Sequence, residues 1–145
     1  MKIVNRQAAL CVIQRGDRFL VAELIDAQTG AVLHRPVGGG IEQGESPETA
    51  VRREVREELG ITLTQVKLLG SVDHAWIWKG RELRERAWIF LADASDDARL
   101  SRGETVELVE ADGDRFQTVW RSAREMADGP PVSPAMLREF LEQIV

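Results

Sequence analysis

Hydrophobic and polar positions along the chain mark out a series of strands. The runs "RQAALCVIQ" and "RFLVAELI" are apolar and rich in β-branched residues, and "RGD" between them predicts a hairpin with a tight turn. A second turn, "DAQTGA", leads into "AVLHRPV", a third strand expected to end at Gly38, Gly39 and Gly40. "VKLLGSVDHAWIW" and "RERAWIFLADA" predict two more strands joined at "KGRE". "SDDARLSRGETVELVEADGD" is polar and acidic, apart from an apolar patch at Val106 to Val109, and predicts a long loop. Loops of that length are usually functional or mobile. "RFQTVWRS" predicts a further strand, and "AREMADGPPVSP" a short helical turn with a Pro-rich link. "SPAMLREFLEQIV" predicts a closing amphipathic helix, with Ser133 as N-cap and Pro134 at its first position. Its stripe is Met136, Leu137, Phe140, Leu141 and Ile144. No repeat, low-complexity tract or linker divides the chain. The expectation is one domain over residues 1–145: an α/β/α sandwich around a mixed, mostly antiparallel sheet.

Composition narrows the partners. A hydrophobic content of 43% and a charged content of 30% fit an ordinary soluble globular protein. The net charge of −5 argues against nucleic acid or a membrane surface as partner, since both require a basic face. No apolar run approaches the ~20 residues that span a bilayer, and "MKIVNRQAAL" lacks the features of a signal peptide. A cytoplasmic location is expected. The lone cysteine, Cys11, cannot form an internal disulfide, and its place in "AALCVI" makes it a buried core residue, not a nucleophile.

The stretch "GGGIEQGESPETAVRREVREELGI", residues 38–61, carries six glutamates and three arginines. Ser46 and Pro47 start a helix and Gly60 ends it. Ala50, Val51, Val55 and Leu59 form its apolar stripe. Glu54, Glu57 and Glu58 stand at i, i+3 and i+4 and crowd one patch, a like-charge arrangement that costs stability. Gathered carboxylate oxygens suit a hard divalent metal such as Mg²⁺. Arg52, Arg53 and Arg56 offer partial neutralisation, so charge pattern alone leaves a solvated helix face as the alternative. The three glycines let backbone turn sharply and approach a ligand.

This stretch resembles the Nudix box of Nudix hydrolases. The pattern is Gly, five residues, Glu, seven residues, then Arg-Glu-aliphatic-any-Glu-Glu-any-Gly-aliphatic. Gly39, Glu45, Arg53, Glu54, Val55, Glu57, Glu58, Gly60 and Ile61 fill its nine specified positions over 23 residues. The rest of the chain is similar more loosely, through strand order, the Trp-bearing strand "TVWRS" and the closing helix. Many members carry Pro directly before the glycine pair, whereas Val37 stands here, with Pro36 one place earlier and a third glycine after it. The resemblance implies the Nudix α/β/α sandwich and Mg²⁺- or Mn²⁺-dependent hydrolysis of a nucleoside diphosphate linked to another moiety. It implies Glu57 and Glu58 as main metal ligands, with Glu54 and the Gly38 carbonyl contributing. Arg53 paired with Glu45 would hold the loop against the helix. Glu54 is the first choice for general base, with Glu104 and Glu110 as alternatives on the acidic loop.

Other residues are candidates for the substrate, expected to be a small-molecule nucleotide. Trp76 and Trp78 alternate on one strand and so face one side, where aromatic faces could stack on a base. Arg35 could clamp phosphate bidentately. Trp88 and Trp120 are expected in the core, Arg84 and Arg86 on the surface, and His34 and His74 as edge or core residues without ligand spacing. The chain has no tyrosine, and no proline between Pro47 and Pro130. Nudix hydrolases of diadenosine polyphosphates tend to carry a Tyr downstream of the box and ADP-ribose pyrophosphatases a Pro, so the resemblance lowers both subclasses and leaves a nucleoside triphosphate or nucleotide-sugar favoured. An isopentenyl diphosphate isomerase would need a catalytic cysteine that buried Cys11 does not supply. A nucleotide-sensing module without turnover is the alternative function, though such modules often lose box carboxylates that are all present here. Related proteins are often homodimers, which makes a homodimer an expectation too.

Overall fold

A computed structural model describes residues 1–109 and 115–144. Its strands are β1 (Lys2–Arg15), β2 (Arg18–Ile25), β3 (Val32–Arg35), β4 (Val37–Gly40), β5 (Lys67–Trp78), β6 (Arg81–Asp93), β7 (Glu107–Val109) and β8 (Arg115–Ser122). The helices are α1 (Pro47–Leu59), α2 (Ala98–Ser101) and α3 (Leu137–Glu142). The sheet runs β5-β6-β1-β2-β8-β7, with β3 paired to β2 and β4 to β1. Among the strand ladders of the described residues only β1–β6 is parallel. The other ladders are antiparallel, giving the mixed, mostly antiparallel sheet that the sequence predicts. Among the described residues no helix is long and apolar enough to cross a membrane.

β1 is buried on both faces, which explains the unbroken apolar run "AALCVI". Ala9, Cys11 and Ile13 pack with Val51, Val55 and Leu59 of α1. Ala8, Leu10 and Val12 pack in a second cluster with Leu137 and Leu141 of α3. Two layers of helix therefore sandwich one sheet.

The sheet forks next to the hairpin. β1 pairs with β2 only at Ile13–Arg15, and the same edge then pairs with β4 at Ala8–Cys11. β2 in turn leaves β1 beyond Leu20 and pairs with β3 at Ala22–Ile25. Pro36, which has no N–H for a ladder, sits where β3 passes into β4. The divergence of β1 from β2 sets the cleft described below.

Three expected elements differ. The glycines are not a turn: Gly38, Gly39 and Gly40 form a strand against β1. Their lack of side chains serves close packing. A Cβ on Gly38, whose φ is +149°, would overlap the Ala9 carbonyl. Over residues 95–109 the acidic stretch after β6 is not an extended loop. It holds a 3-10 turn at Ala94–Asp96, then α2, then β7. Asp97 caps α2, accepting from the amides of Arg99 and Leu100. The last helix starts at Leu137, not at Ser133, because the preceding segment is bound to β3. His34 N donates to Pro131 O, and Ser133 N donates to His34 O.

Candidate active site

α1 forms where caps and stripe agree. Ser46 Oγ accepts from Thr49 N, Pro47 opens the first turn, and Gly60 ends the helix at φ 70°. Ala50, Val51, Val55 and Leu59 are buried against the sheet. That seating fixes the rotation of the helix, and with it the direction of Arg53, Glu54, Glu57 and Glu58.

Arg53 ties the local chain together. Its Nε and Nη2 donate to the two carboxylate oxygens of Glu45, each at 2.8 Å. Nη2 also donates to Gly40 O at 3.1 Å, and Nη1 to Glu54 Oε1 at 3.0 Å and Glu57 Oε2 at 3.3 Å. Glu45 further accepts from Glu42 N. The Arg53 hydrogen bonds hold the Glu45 carboxyl down at about 2 and push the Arg53 guanidinium above its ordinary value. Loop, strand β4 and helix thus meet on one guanidinium. Glu54 is shifted upward, chiefly by burial, although Arg53 pulls the other way. Its carboxylate lies over Gly39, where a Cβ would come within 2.9 Å of it.

A cavity of about 360 Å³ opens beside this group. Gly38, Gly39, Gly40, Glu54 and Glu58 line it. Arg6, Arg35, Trp76 and Trp78 line it too, with Leu24, Leu83 and Phe116 adding apolar surface. Glu57 is not part of the lining and its side chain is 57% exposed. Arg35 is buried and lies 4.4 Å from the centroid of the Trp76 ring, a cation–π contact covering one face of that ring. Arg35 Nη1 and Trp76 Nε1 are buried donors without an acceptor among the described residues.

Two residues of the site escaped the sequence reading. Arg6 lines the cavity, and the side chain of its partner Glu85 is fully buried. Glu85 accepts from Arg6 Nε at 2.9 Å, Arg35 Nη2 at 2.6 Å and His74 Nε2 at 2.9 Å. The signal was alternation in "RELRERAW": Leu83, Glu85 and Ala87 share one buried face of β6, so a charge stood at an inward position. Burial pushes the Glu85 carboxyl up. The His74 hydrogen bond and the charges of Arg35 and Arg6 outweigh it and hold the group at about 2, below the ordinary 4.5. A depressed acid stabilises the fold above its unfolded value, and that contribution disappears as pH falls through its folded value. The stability gap between the parent and Glu85→Gln is therefore expected to narrow between pH 4.5 and 2, read by thermal melts across that window.

The remaining candidates lie away from the cavity. Trp88 and Trp120 pack against the α1-side core, their indoles donating to Gln7 Oε1 and Glu104 O. Arg84 and Arg86 pair with Glu82 and Asp73 on the surface. His34 is buried between Glu23 and Arg121. The Glu104 carboxylate is half exposed and bonds Arg102. Glu110 lies outside the described residues. Cys11 is buried, its thiol pushed up to about 12 by burial and then by Asp96, which removes it as a nucleophile.

The family model described as NUDIX domain matches residues 4–143. The chain belongs to the Nudix family. An RNA pyrophosphohydrolase of Photobacterium profundum is 32% identical over 103 residues, covering 61% of this chain and 57% of that protein. The chain thus spans a little over half the length of the curated relatives it matches. Among solved structures, a MutT NUDIX hydrolase from Burkholderia pseudomallei is 29% identical, with TM-score 0.63, over 98% of this chain and 99% of that one. The E. coli ORF135 protein is 28% identical, with TM-score 0.56, over 99% and 89%.

Nudix hydrolases generally use divalent metals. The donor set here fits such an ion in chemistry, since Glu54, Glu57 and Glu58 offer hard carboxylate oxygens and Gly38 lines the same cavity as two of them. Among the described residues no three acidic or imidazole side chains converge on one point. Arg53 Nη1 instead bonds both Glu54 and Glu57.

Proposed function

We propose that this protein is a Mg²⁺-dependent pyrophosphohydrolase that cleaves a phosphoric anhydride in a small nucleotide, a nucleoside triphosphate or nucleotide-sugar. The observation that carries this reading is the Arg53-braced carboxylate group at a cavity that Arg35, Trp76 and Trp78 also line. Acids, cations and aromatics lining one cavity suit a ligand that is part polyphosphate and part base.

Glu54, Glu57, Glu58 and the Gly38 backbone would hold the ion, Mg²⁺ by donor preference with Mn²⁺ able to replace it. When bound, the ion neutralises phosphoryl charge and acidifies water. Arg35 and Arg6 bind phosphate oxygens in the cavity. Trp78 stacks on the base, while Arg35 already covers one face of Trp76. Glu54 takes the proton from the attacking water. Among the described residues its Oε2 makes no hydrogen bond while Oε1 holds Arg53. Glu45 and Arg53 keep Glu54 in place. Positioning and charge neutralisation, not covalent catalysis, are what phosphoryl transfer requires.

The test is a Mg²⁺-supplemented screen of nucleoside di- and triphosphates, nucleotide-sugars, dinucleoside polyphosphates and capped or 5′-triphosphorylated RNA. Release of a nucleotide and a phosphate product from a small nucleotide is expected. Turnover of RNA alone would move the substrate toward that of the curated relatives. No product from any compound, with the protein folded, would support a nucleotide-sensing module.

A further inference from the structure

Glu85 has no position in the family motif, and burying it is costly. Its side chain is fully shielded, and three cationic or imidazole groups converge on it. Buried ion pairs often add no more stability than apolar residues of similar volume. An apolar residue would also continue the inward pattern set by Leu83 and Ala87 on β6. Stability alone therefore gives little reason for a carboxylate here.

Geometry gives one. The register sets His74, Glu85 and Arg6 side by side across β5, β6 and β1. Arg35 reaches the same carboxylate from β3, on the other branch of the fork. Arg6 is engaged by Glu85 through Nε, and Arg35 through Nη2. Arg35 Nη1 and Trp76 Nε1 still lack acceptors among the described residues. Two guanidinium groups thus share one carboxylate at the cavity that Glu54 and Glu58 also line.

We propose that Glu85 is a positioning residue that fixes Arg6 and Arg35 as a preorganised receptor for the phosphate oxygens of a polyphosphate ligand. This rests on the pyrophosphohydrolase reading for its ligand class, but its test does not need turnover. The fork explains the need: Arg6 and Arg35 stand on different branches, and a shared buried acceptor fixes their spacing.

Glu85→Gln separates positioning from simple charge neutralisation by sign. The variant site is one charge more positive, so a mere neutraliser predicts tighter anion binding. A positioning residue predicts weaker binding. Inorganic tripolyphosphate, titrated calorimetrically in metal-free buffer, is expected to bind Glu85→Gln about tenfold more weakly than the parent. With a hydrolysed nucleotide, KM is expected to rise by a similar factor while kcat stays within about threefold. In an Arg35→Ala background the same substitution is expected to cost less than about threefold, because its effect runs through Arg35. Glu85→Asp keeps the charge but shortens the reach. It is expected to weaken tripolyphosphate binding as well, and it serves where Glu85→Gln does not fold. Unchanged or tighter binding in either folded variant overturns the proposal, and so does a parent that does not bind tripolyphosphate. A parent that binds it but hydrolyses nothing overturns only the hydrolase reading.

Discussion

Glu57→Gln and Glu58→Gln are each expected to lower turnover by roughly 10³-fold at saturating Mg²⁺, because each removes a charged oxygen donor from the proposed ion site. The fold should be indifferent. Glu57 is more than half exposed, and Glu58 lies on the cavity side of α1, away from the stripe that seats the helix. Replacements at such positions usually change stability by within about 0.5 kcal/mol. Relieving like-charge crowding at i, i+3 and i+4 works in the same direction. Steady-state rates and melting curves on the same preparations check both halves. If both variants hydrolyse at near-parental rates, these carboxylates are not the ion's ligands.

Gly39→Ala carries the second large effect, and it tests how strand and site depend on each other. A Cβ there would meet the Glu54 carboxylate at 2.9 Å, closer than real Cβ atoms approach. The carboxylate is the end of a flexible side chain, so the fold can accommodate the methyl by moving it. Arg53, however, grips Glu54 Oε1 at 3.0 Å. Displacing the carboxylate breaks that bond or drags Arg53 off Glu45. A misplacement near 1 Å costs about 10²-fold in rate, and that is the expected loss. Gly40→Ala provides the comparison. Its Cβ would meet only Arg6 Nη1 at 3.8 Å and Gln7 O at 4.0 Å, ordinary contact distances. Its loss should be much smaller, and equal losses in the two variants would show that Glu54 is not held by the strand beneath it.

These two glycines also mark where the sequence was legible and where it was not. α1 could be read in full, because its Ser46 cap, its stripe and its Gly60 stop are local signals that agree. Arg53 and Glu45 were readable through the motif, and they meet at 2.8 Å. The role of the glycines was misread, because three in a row favour a turn on local grounds. Here they are a strand whose missing side chains leave room for the Ala9 carbonyl and the Glu54 carboxylate. Only the packing of α1 over β4 and β1 creates that demand. The Arg6–Glu85 pair joins residues 79 apart through a parallel register. Local periodicity shows that Glu85 faces inward and says nothing about which cation it meets. The closing helix was predicted too early for a similar reason. Residues 131–133 are committed to His34 by long-range backbone hydrogen bonds, which no local cap signal reveals.

The central claim is that the box carboxylates on α1 carry a divalent-ion-dependent hydrolysis of a phosphoric anhydride. The most direct test is the hydrolysis rate of the best nucleotide from the screen, measured before chelation, after chelation and after Mg²⁺ is restored. The account predicts that chelation abolishes product formation and that added Mg²⁺ restores it, with the protein folded throughout. A rate that survives chelation would contradict it.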